Sequence, residues 1–341
     1  MIIRDFTQLA ATGHDLDMPQ MTEVMNQIME GRCPESEVAE FLLALRKKGE
    51  SVDELAGAAA SLRQHMTPIR SSHPNLIDTC GTGGDGSGTF NISTAAALVT
   101  AATGVPVAKH GNRSISSRSG SADVLTALGV NIEADLQTVE RCLDQLGICF
   151  CFAPLLHPSM KNVATIRRQL GVPTIFNFLG PLCNPARAPF QLLGVGRPEL
   201  RDRIATALTK LGTRRAAVLC GSDGLDEVTL TGPTHVSLVN KTTVTALTWT
   251  PPEFDVSPDS LTALQVDGPA ASAEMIRQVL NGCPGPARDI VVMNSAAALW
   301  VVRGQADHGL SLSACAAAAR QAIDSGRARE LVLELAKLSH A

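Results

Sequence analysis

Tyrosine is absent from the 341 residues, which hold only nine phenylalanines and two tryptophans. There is no surplus of basic charge either: 29 Lys and Arg stand against 33 Asp and Glu, a formal net charge of −4. A chain with neither a basic footprint nor aromatic stacking platforms lacks the usual means of holding nucleic acid. No two of the nine cysteines form a Cys-x-x-Cys pair, and their odd number fits reduced thiols at apolar positions better than a disulfide or zinc framework. No apolar run is long enough to span a bilayer, because the longest, Thr94 to Ala108, is broken by Gly104 and Pro106. Met1 to Pro19 carries no apolar core of signal-peptide length. Internal repeats and low-complexity segments are also missing. What is left is a soluble, cytoplasmic, globular protein, and at 45% hydrophobic and 18% charged it is not disordered. Its length suits one large domain or two unequal ones.

Glycine is where the chain is generous. Gly81-Thr82-Gly83-Gly84-Asp85-Gly86-Ser87-Gly88-Thr89-Phe90-Asn91-Ile92-Ser93-Thr94 lies between two apolar stretches. Leu76 and Ile77 read as the end of a buried strand, and Ala95 to Ala102 as a buried helix capped by Ser93 or Thr94. A strand, a glycine loop and a helix N-terminus together form an anion site, since backbone amides and the helix dipole point at phosphate oxygens. A cluster of glycines is equally the mark of a plain turn, and the Lys-Ser/Thr ending of a P-loop is missing here. Asp85 is the informative oddity. A bare carboxylate repels phosphate unless a ribose hydroxyl or a cation sits between them.

The first seventy residues read as helices only. Ser36 or Glu35 opens a segment with Val38, Phe41, Leu42 and Leu45 at helical spacing, stopped by Gly49. Ser51-Val52-Asp53-Glu54 has capping-box form ahead of Leu55, Ala58, Leu62 and Met66. Pro68 to Pro74 reads as a boundary. Beyond it the pattern alternates. Strands are expected at Val105–Lys109, Ile148–Phe152, Gln191–Val195 and Ala216–Cys220, helices at Ser121–Leu128 and Pro198–Leu211. Such alternation implies a parallel sheet covered by helices. Val236–Asn240 and Thr243–Trp249 read as a hairpin turning at Lys241, with helix over Asp289–Val302 and from Ser311 to the C-terminus.

Ligands of open α/β sheets collect at the carboxyl ends of strands. Lys109-His110-Gly111-Asn112-Arg113-Ser114-Ile115-Ser116-Ser117 follows the second strand and offers a cation, a glycine and hydroxyls, a set that suits a diphosphate. It would lie beside the glycine loop if their strands are neighbours. Asp226-Glu227, ahead of Val228-Thr229-Leu230, reads either as surface carboxylates at a strand start or as oxygen ligands for Mg²⁺. Arg167-Arg168 near a helix end either serves the dipole or recognises a carboxylate.

Four motifs in order, Gly81-Thr82-Gly83-Gly84-Asp85, Asn91-Ile92-Ser93-Thr94, Lys109-His110-Gly111-Asn112-Arg113 and Asn177-Phe178-Leu179-Gly180-Pro181-Leu182-Cys183-Asn184-Pro185, resemble the anthranilate phosphoribosyltransferase family over nearly the whole chain. The resemblance implies an α/β fold of the nucleoside phosphorylase and class III phosphoribosyltransferase type. In it, a small all-helical domain (1–72, joined by a segment near 157–186) accompanies a larger α/β domain (73–341) with a mainly parallel sheet. It implies a pentosyltransferase of tryptophan biosynthesis that uses phosphoribosyl pyrophosphate (PRPP), anthranilate and Mg²⁺, and forms a homodimer. Motif position then gives PRPP to Gly81, Gly84, Asp85 and Thr89, to Asn91, Ile92, Ser93 and Thr94, to Lys109, His110, Gly111, Asn112, Arg113, Ser114, Ile115, Ser116 and Ser117, and to Ser121. It gives the metal to Ser93, Asp226 and Glu227, and anthranilate to Gly81, Asn112 and Arg167, with His110 and Pro181 nearby. Asp85, Lys109 and His110 are the catalytic candidates, His110 as a base or as a ring that shapes the pocket. Pro173 departs from the pattern of several relatives, which carry Arg there. Two other readings compete: a pyrimidine nucleoside phosphorylase, which shares the fold, and a phosphate-sensing module without turnover.

Overall fold

The computed structural model describes residues 1–114, 118–304 and 310–341. Its N-terminal quarter is helical, as α1 (Ile3–Ala11), α2 (Met18–Met29), α3 (Glu35–Lys48) and α4 (Val52–His65). The capping box at Ser51 is present: Ser51 Oγ accepts from the Glu54 amide at 3.2 Å, and Glu54 Oε2 accepts from the Ser51 amide at 2.8 Å. Gly49 ends α3 at φ +87°, a conformation that L side chains resist.

The strands are β1 (Ile77–Gly81), β2 (Val107–Gly111), β3 (Ile148–Phe152), β4 (Phe190–Gly194), β5 (Arg215–Gly221), β6 (Thr234–Asn240) and β7 (Thr243–Trp249). They form one sheet in the order β3-β2-β1-β4-β5-β6-β7. The first five are parallel and the last two antiparallel, so the expected hairpin stands as an edge on a mainly parallel sheet. Progression reverses between β1 and β4, and the crevice beyond their carboxyl ends is where such sheets bind ligands. Helices α5 (Ile92–Ala102), α6 (Ser121–Ala127) and α7 (Leu136–Leu146) fall between the first three strands. Short helices α8 (Ala153–Leu156), α9 (Lys161–Leu170) and α10 (Phe176–Leu179) lead to β4, and α11 (Pro198–Lys210) to β5. Last come α12 (Pro269–Leu280), α13 (Pro286–Arg303), α14 (Leu312–Asp324) and α15 (Arg327–Leu338). Among the described residues, no helix is long and apolar enough to cross a membrane.

Two apolar cores lie against the sheet. One joins α5, α13 and the C-terminal helices to Ile77, Val107 and Leu219. The other joins the four N-terminal helices to α11, to Leu193 and Val218, and to Val163, Ile166, Phe178 and Leu182 from the β3–β4 crossover. That crossover is therefore built into the helical unit. Arg63 of α4 fastens it, donating to the Leu182 carbonyl at 2.7 Å and to the Leu211 carbonyl at 3.1 Å.

Four expectations need correction. Ile77 begins β1 rather than ending it. Asp78 and Thr79 have the look of loop residues, but the five-residue pairing with β4 carries them into the sheet, buried. The cap of α5 is Asn91, not Ser93 or Thr94, and its side chain bonds across the fold instead of to its own helix. Asp226 and Glu227 lie in the loop between β5 and β6, because the strand resumes only at Thr234. The C-terminal helix is two helices, divided at Gly326, whose φ of +79° interrupts it.

Candidate active site

β1 and β2 are neighbours, so the glycine loop and the Lys109 segment emerge side by side. Gly83, Gly84, Gly86 and Gly88 all hold left-handed dihedrals, φ from +65° to +80°, which lets the loop fold back over the strand ends. Its footing is specific. The Thr82 amide donates to the Gly194 carbonyl at 2.9 Å, and the Gly83 amide donates to Asp226 Oδ2 at 2.9 Å. A Cβ on Gly81 would stand 2.6 Å from that same carboxylate oxygen, so glycine at the end of β1 makes room for Asp226.

Asp85 is explained by its neighbours. Ligand oxygens of Asp85, Asp226 and Glu227 all lie within 4.8 Å of one another. Burial first and the Asp85 charge second push Asp226 up to about 6, and burial together with the Asp226 charge raises Glu227 well above the usual range. Lys109 is a cation close enough to feel Asp226 and Glu227. Burial lowers its pKa, while Asp78 foremost, and Asp226 and Glu227 with it, pull the other way. Its Nζ donates to the Thr79 carbonyl at 2.5 Å and to Ser93 Oγ at 3.3 Å. Ser93, Asp226 and Glu227 line one narrow pocket with Thr79, Gly194 and Asn294. Three crowded carboxylates with a hydroxyl beside them fit a hard divalent cation, which takes oxygen ligands and relieves the repulsion.

The second loop is held from below by Asp78, whose Oδ1 accepts from the His110 amide at 3.1 Å. His110 Nδ1 faces the Gly180 carbonyl at 3.0 Å and its Nε2 faces His157 Nε2 at 3.1 Å. A carbonyl only accepts, so Nδ1 carries the ring proton of His110. Burial, and for His110 the neighbouring His157, lowers the two rings to about 3 and about 4. Both are neutral at pH 7. Their stabilising contribution is complete above pH about 6.5, where an unfolded histidine is also neutral, and is lost as pH falls through about 4 and then about 3. The acid-side drop in thermal midpoint is therefore expected to be shallower in His157→Gln than in the unaltered protein, as calorimetry between pH 7 and 4 would show.

Gly111 ends β2 where a Cβ would overlap Ser121 Oγ, and that hydroxyl donates to the Asn112 carbonyl at 3.4 Å. Asn112 is exposed at the mouth. Arg113 is drawn aside to Asp123 and Glu133, and the Ser114 amide donates to Asp123. Asn91 accepts from Ser119 Oγ at 2.7 Å and from Ser272 Oγ at 2.8 Å, tying α5, the second loop and α12 together. Thr89 sits in the loop with Oγ1 against Ser87 Oγ. Ile92 and Thr94 are buried behind the loop rather than in it, and among the described residues the Thr94 hydroxyl has no partner. Ile115, Ser116 and Ser117 lie outside the described residues.

Of the arginine pair, Arg168 is exposed, whereas Arg167 lies half-buried over the Phe176 ring, its Cζ 5.5 Å from the centroid. Among the described residues its guanidinium has no hydrogen bond or ion pair, and none joins it to Gly81 or Asn112. Burial lowers its pKa, as expected of a cation with no anion beside it. Sequence reasoning missed Asp78, His157, Gly194 and Asn294. Asp78, three residues ahead of the first loop glycine, and His157, ahead of the helix with Arg167, were within reach; Gly194 and Asn294 carry no local signal.

Two family models match: the helical bundle domain of a glycosyl transferase family over residues 4–66, and its a/b domain over 73–329. An anthranilate phosphoribosyltransferase of Rhodopirellula baltica is 50% identical over 96% of this chain and 95% of its own. The crystal structure of an anthranilate phosphoribosyltransferase from Thermus thermophilus superposes with TM-score 0.92 at 41% identity, over 99% of this chain and 100% of that one. That from Saccharomyces cerevisiae in complex with PRPP and Mg gives 0.90 at 27% identity, over 99% and 98%, and its complex with 4-fluoroanthranilate gives 0.87 at 26%, over the same shares. With its two-part fold, its paired loops and these similarities in agreement, the chain belongs to the anthranilate phosphoribosyltransferase family.

Proposed function

We propose that this chain transfers the 5-phosphoribosyl group of PRPP to the amine of anthranilate and releases pyrophosphate. The observation that carries the reading is the convergence of Asp85, Asp226 and Glu227 on a glycine loop at the reversal point of the sheet. Such crowding is costly in an empty protein and useful in one that binds a metal diphosphate. Mg²⁺ would be held by Ser93, Asp226 and Glu227, with Asp85 beside them, and when bound it supplies positive charge to the departing pyrophosphate. That the yeast relative has been seen with PRPP and Mg, and with 4-fluoroanthranilate, supports the same assignment.

The chain's own groups do the rest. Amides of the glycine loop and of the Lys109 segment face the diphosphate and stabilise the charge that grows as the glycosidic bond lengthens. Lys109 holds Ser93 in place through its ammonium. Arg167 takes the anthranilate carboxylate and so aims the amine at the ribose carbon, an effect of orientation. His110, with both ring nitrogens engaged inside the protein, acts as a wall of the pocket. Residues 1–72 with the segment near 157–186 form the small domain, 73–341 the large one, and the cleft between them takes the two substrates. The enzyme works in the cytoplasm as a homodimer.

Arg167→Ala is expected to raise KM for anthranilate about 10- to 100-fold, the worth of one charged hydrogen bond of about 1.5–3 kcal/mol, with KM for PRPP nearly unchanged. An effect from Arg168→Ala instead would move the assignment to the neighbouring residue. The test of the function is the loss of anthranilate fluorescence on mixing protein, anthranilate, PRPP and MgCl₂, with the product confirmed by mass. Loss that needs all three ligands supports the reading. A folded protein that leaves anthranilate intact but cleaves thymidine or uridine with phosphate would replace it by a nucleoside phosphorylase.

A further inference from the structure

The loop that carries Asp226 and Glu227 has no regular structure between Gly221 and Thr234, so something other than a strand ladder must fix two carboxylates that repel each other. One anchor is already in view, the Gly83 amide on Asp226. A second lies on the opposite side. Asn294, 1% exposed, stands in the middle of α13 among Ile290, Val291, Val292, Met293 and Ala296, where an amide is costly to bury unless its bonds are made. Both donors and the acceptor oxygen are engaged. Its Oδ1 accepts from the Val228 amide at 2.9 Å, and its Nδ2 donates to the Val228 carbonyl at 3.0 Å and to the Ile290 carbonyl at 2.9 Å. The side chain thus grips both peptide groups of Val228, the residue next to Glu227, at two points, and Asn294 lines the pocket into which Ser93, Asp226 and Glu227 project. Further along the loop, Asp223 draws in the Leu225 amide at 3.1 Å and the hydroxyls of Thr229 and Thr231.

We propose that Asn294 is a positioning residue for the metal carboxylates: its two-point bond to Val228 sets the backbone from which Glu227 and Asp226 reach the cation. Satisfying a core helix would need no such partner, since Ser295, the next residue, satisfies itself on α13 and α5 through the Val291 and Ala96 carbonyls. Losing a group that orients a metal ligand from behind typically costs about 10- to 100-fold in affinity for the ion or in activity. The inference rests on the metal-diphosphate reading above.

The test is Mn²⁺ binding in the presence of PRPP, followed by the electron paramagnetic resonance of the free ion, a readout independent of turnover. Asn294→Leu keeps the branching and heavy-atom count of the side chain, at a larger volume, and removes all three hydrogen bonds; Asn294→Ala is the second variant should leucine fail to fold, and Ser295→Ala is a buried neighbour that leaves the loop alone. Both Asn294 variants are expected to weaken Mn²⁺ binding about 10- to 100-fold with KM for anthranilate changed by no more than about twofold, and Ser295→Ala to leave both where they were. A lowered thermal midpoint with Mn²⁺ affinity unchanged, in either folded variant, would overturn the proposal and leave Asn294 a core amide. If the unaltered protein itself bound no Mn²⁺ with PRPP, the metal-diphosphate reading would fall, and that result is separable from the other because it needs no variant.

Discussion

Asp226→Asn with Glu227→Gln in one chain is expected to lower turnover at saturating Mg²⁺ roughly a thousandfold, the scale on which a lost stabiliser of transition-state charge is felt. The same protein should be more stable than the parent when no metal is present. Asp226 is raised from an ordinary 3.8 to about 6 by burial and by Asp85, and Glu227 is raised also. The folded state therefore holds protons that the unfolded state has released. Stability due to these groups is full below pH about 4 and is lost as pH climbs through about 6. At pH 7.5 the parent bears the whole penalty, on the order of 2–3 kcal/mol for Asp226 alone, and the neutral pair bears none. Calorimetry without metal should show the double variant gaining several degrees of thermal midpoint over the parent between pH 4.5 and 7.5, since the histidine contribution is common to both and cancels in the difference. MgCl₂ with PRPP should raise the parent's midpoint and leave the variant's alone. An identical pH profile in the two proteins would mean that the carboxylates are solvated in the free enzyme.

That trade of stability for a charged site sorts what the sequence reveals from what it hides. Periodicity carried the helices, and the apolar runs carried five strands, because both patterns record burial of local segments. The glycine loop was legible for the same reason that it works: only glycine holds four left-handed dihedrals in six residues. Asp85 was legible as an anomaly, a charge of the wrong sign whose meaning needed a cation. Asp226 and Glu227 were legible as candidate Mg²⁺ ligands, but their meeting with Asp85 was not, since Asp226 lies far along the chain and the loop between β5 and β6 has no period to read. Nor does residue type distinguish adjacent arginines. Burial against Phe176 separates Arg167 from Arg168, and burial is a property of the folded chain. Asp78 lies near the glycine loop in sequence but carries no signal there of its role, which shows only in its bond to the His110 amide.

The smallest substitution with a large expected effect is the addition of one methyl group at Gly194. This residue touches no substrate in the assignments above, and its φ lies outside the left-handed region, so alanine meets no backbone strain there. The objection is space alone. A Cβ on Gly194 would overlap the carbonyl of Asp226, which packs flat on the end of β4. β4 cannot yield, because it lies between β1 and β5 with five residue pairs on each side. The Asp226 loop must move instead, and with it the Gly83 amide that rests on the Asp226 carboxylate. Misplacing a reacting constellation by about 1 Å costs on the order of a hundredfold, so Gly194→Ala is expected to lower turnover by about that factor and to raise the Mg²⁺ needed for half-maximal rate. Overpacking should cost about 1–3 kcal/mol of stability as well. Leu193→Ala supplies the contrast, since its neighbouring side chain is buried in the helical-side core and its loss costs about 2–5 kcal/mol without touching the Asp226 loop. Mg²⁺ titrations of the two variants then separate position from stability. If Gly194→Ala lost stability but kept the parent's Mg²⁺ dependence, the loop would be adaptable and the close fit of β4 beneath it a matter of packing. A shifted Mg²⁺ dependence in Gly194→Ala alone, the less destabilised of the two, would mean that the end of a central strand sets where the metal carboxylates stand.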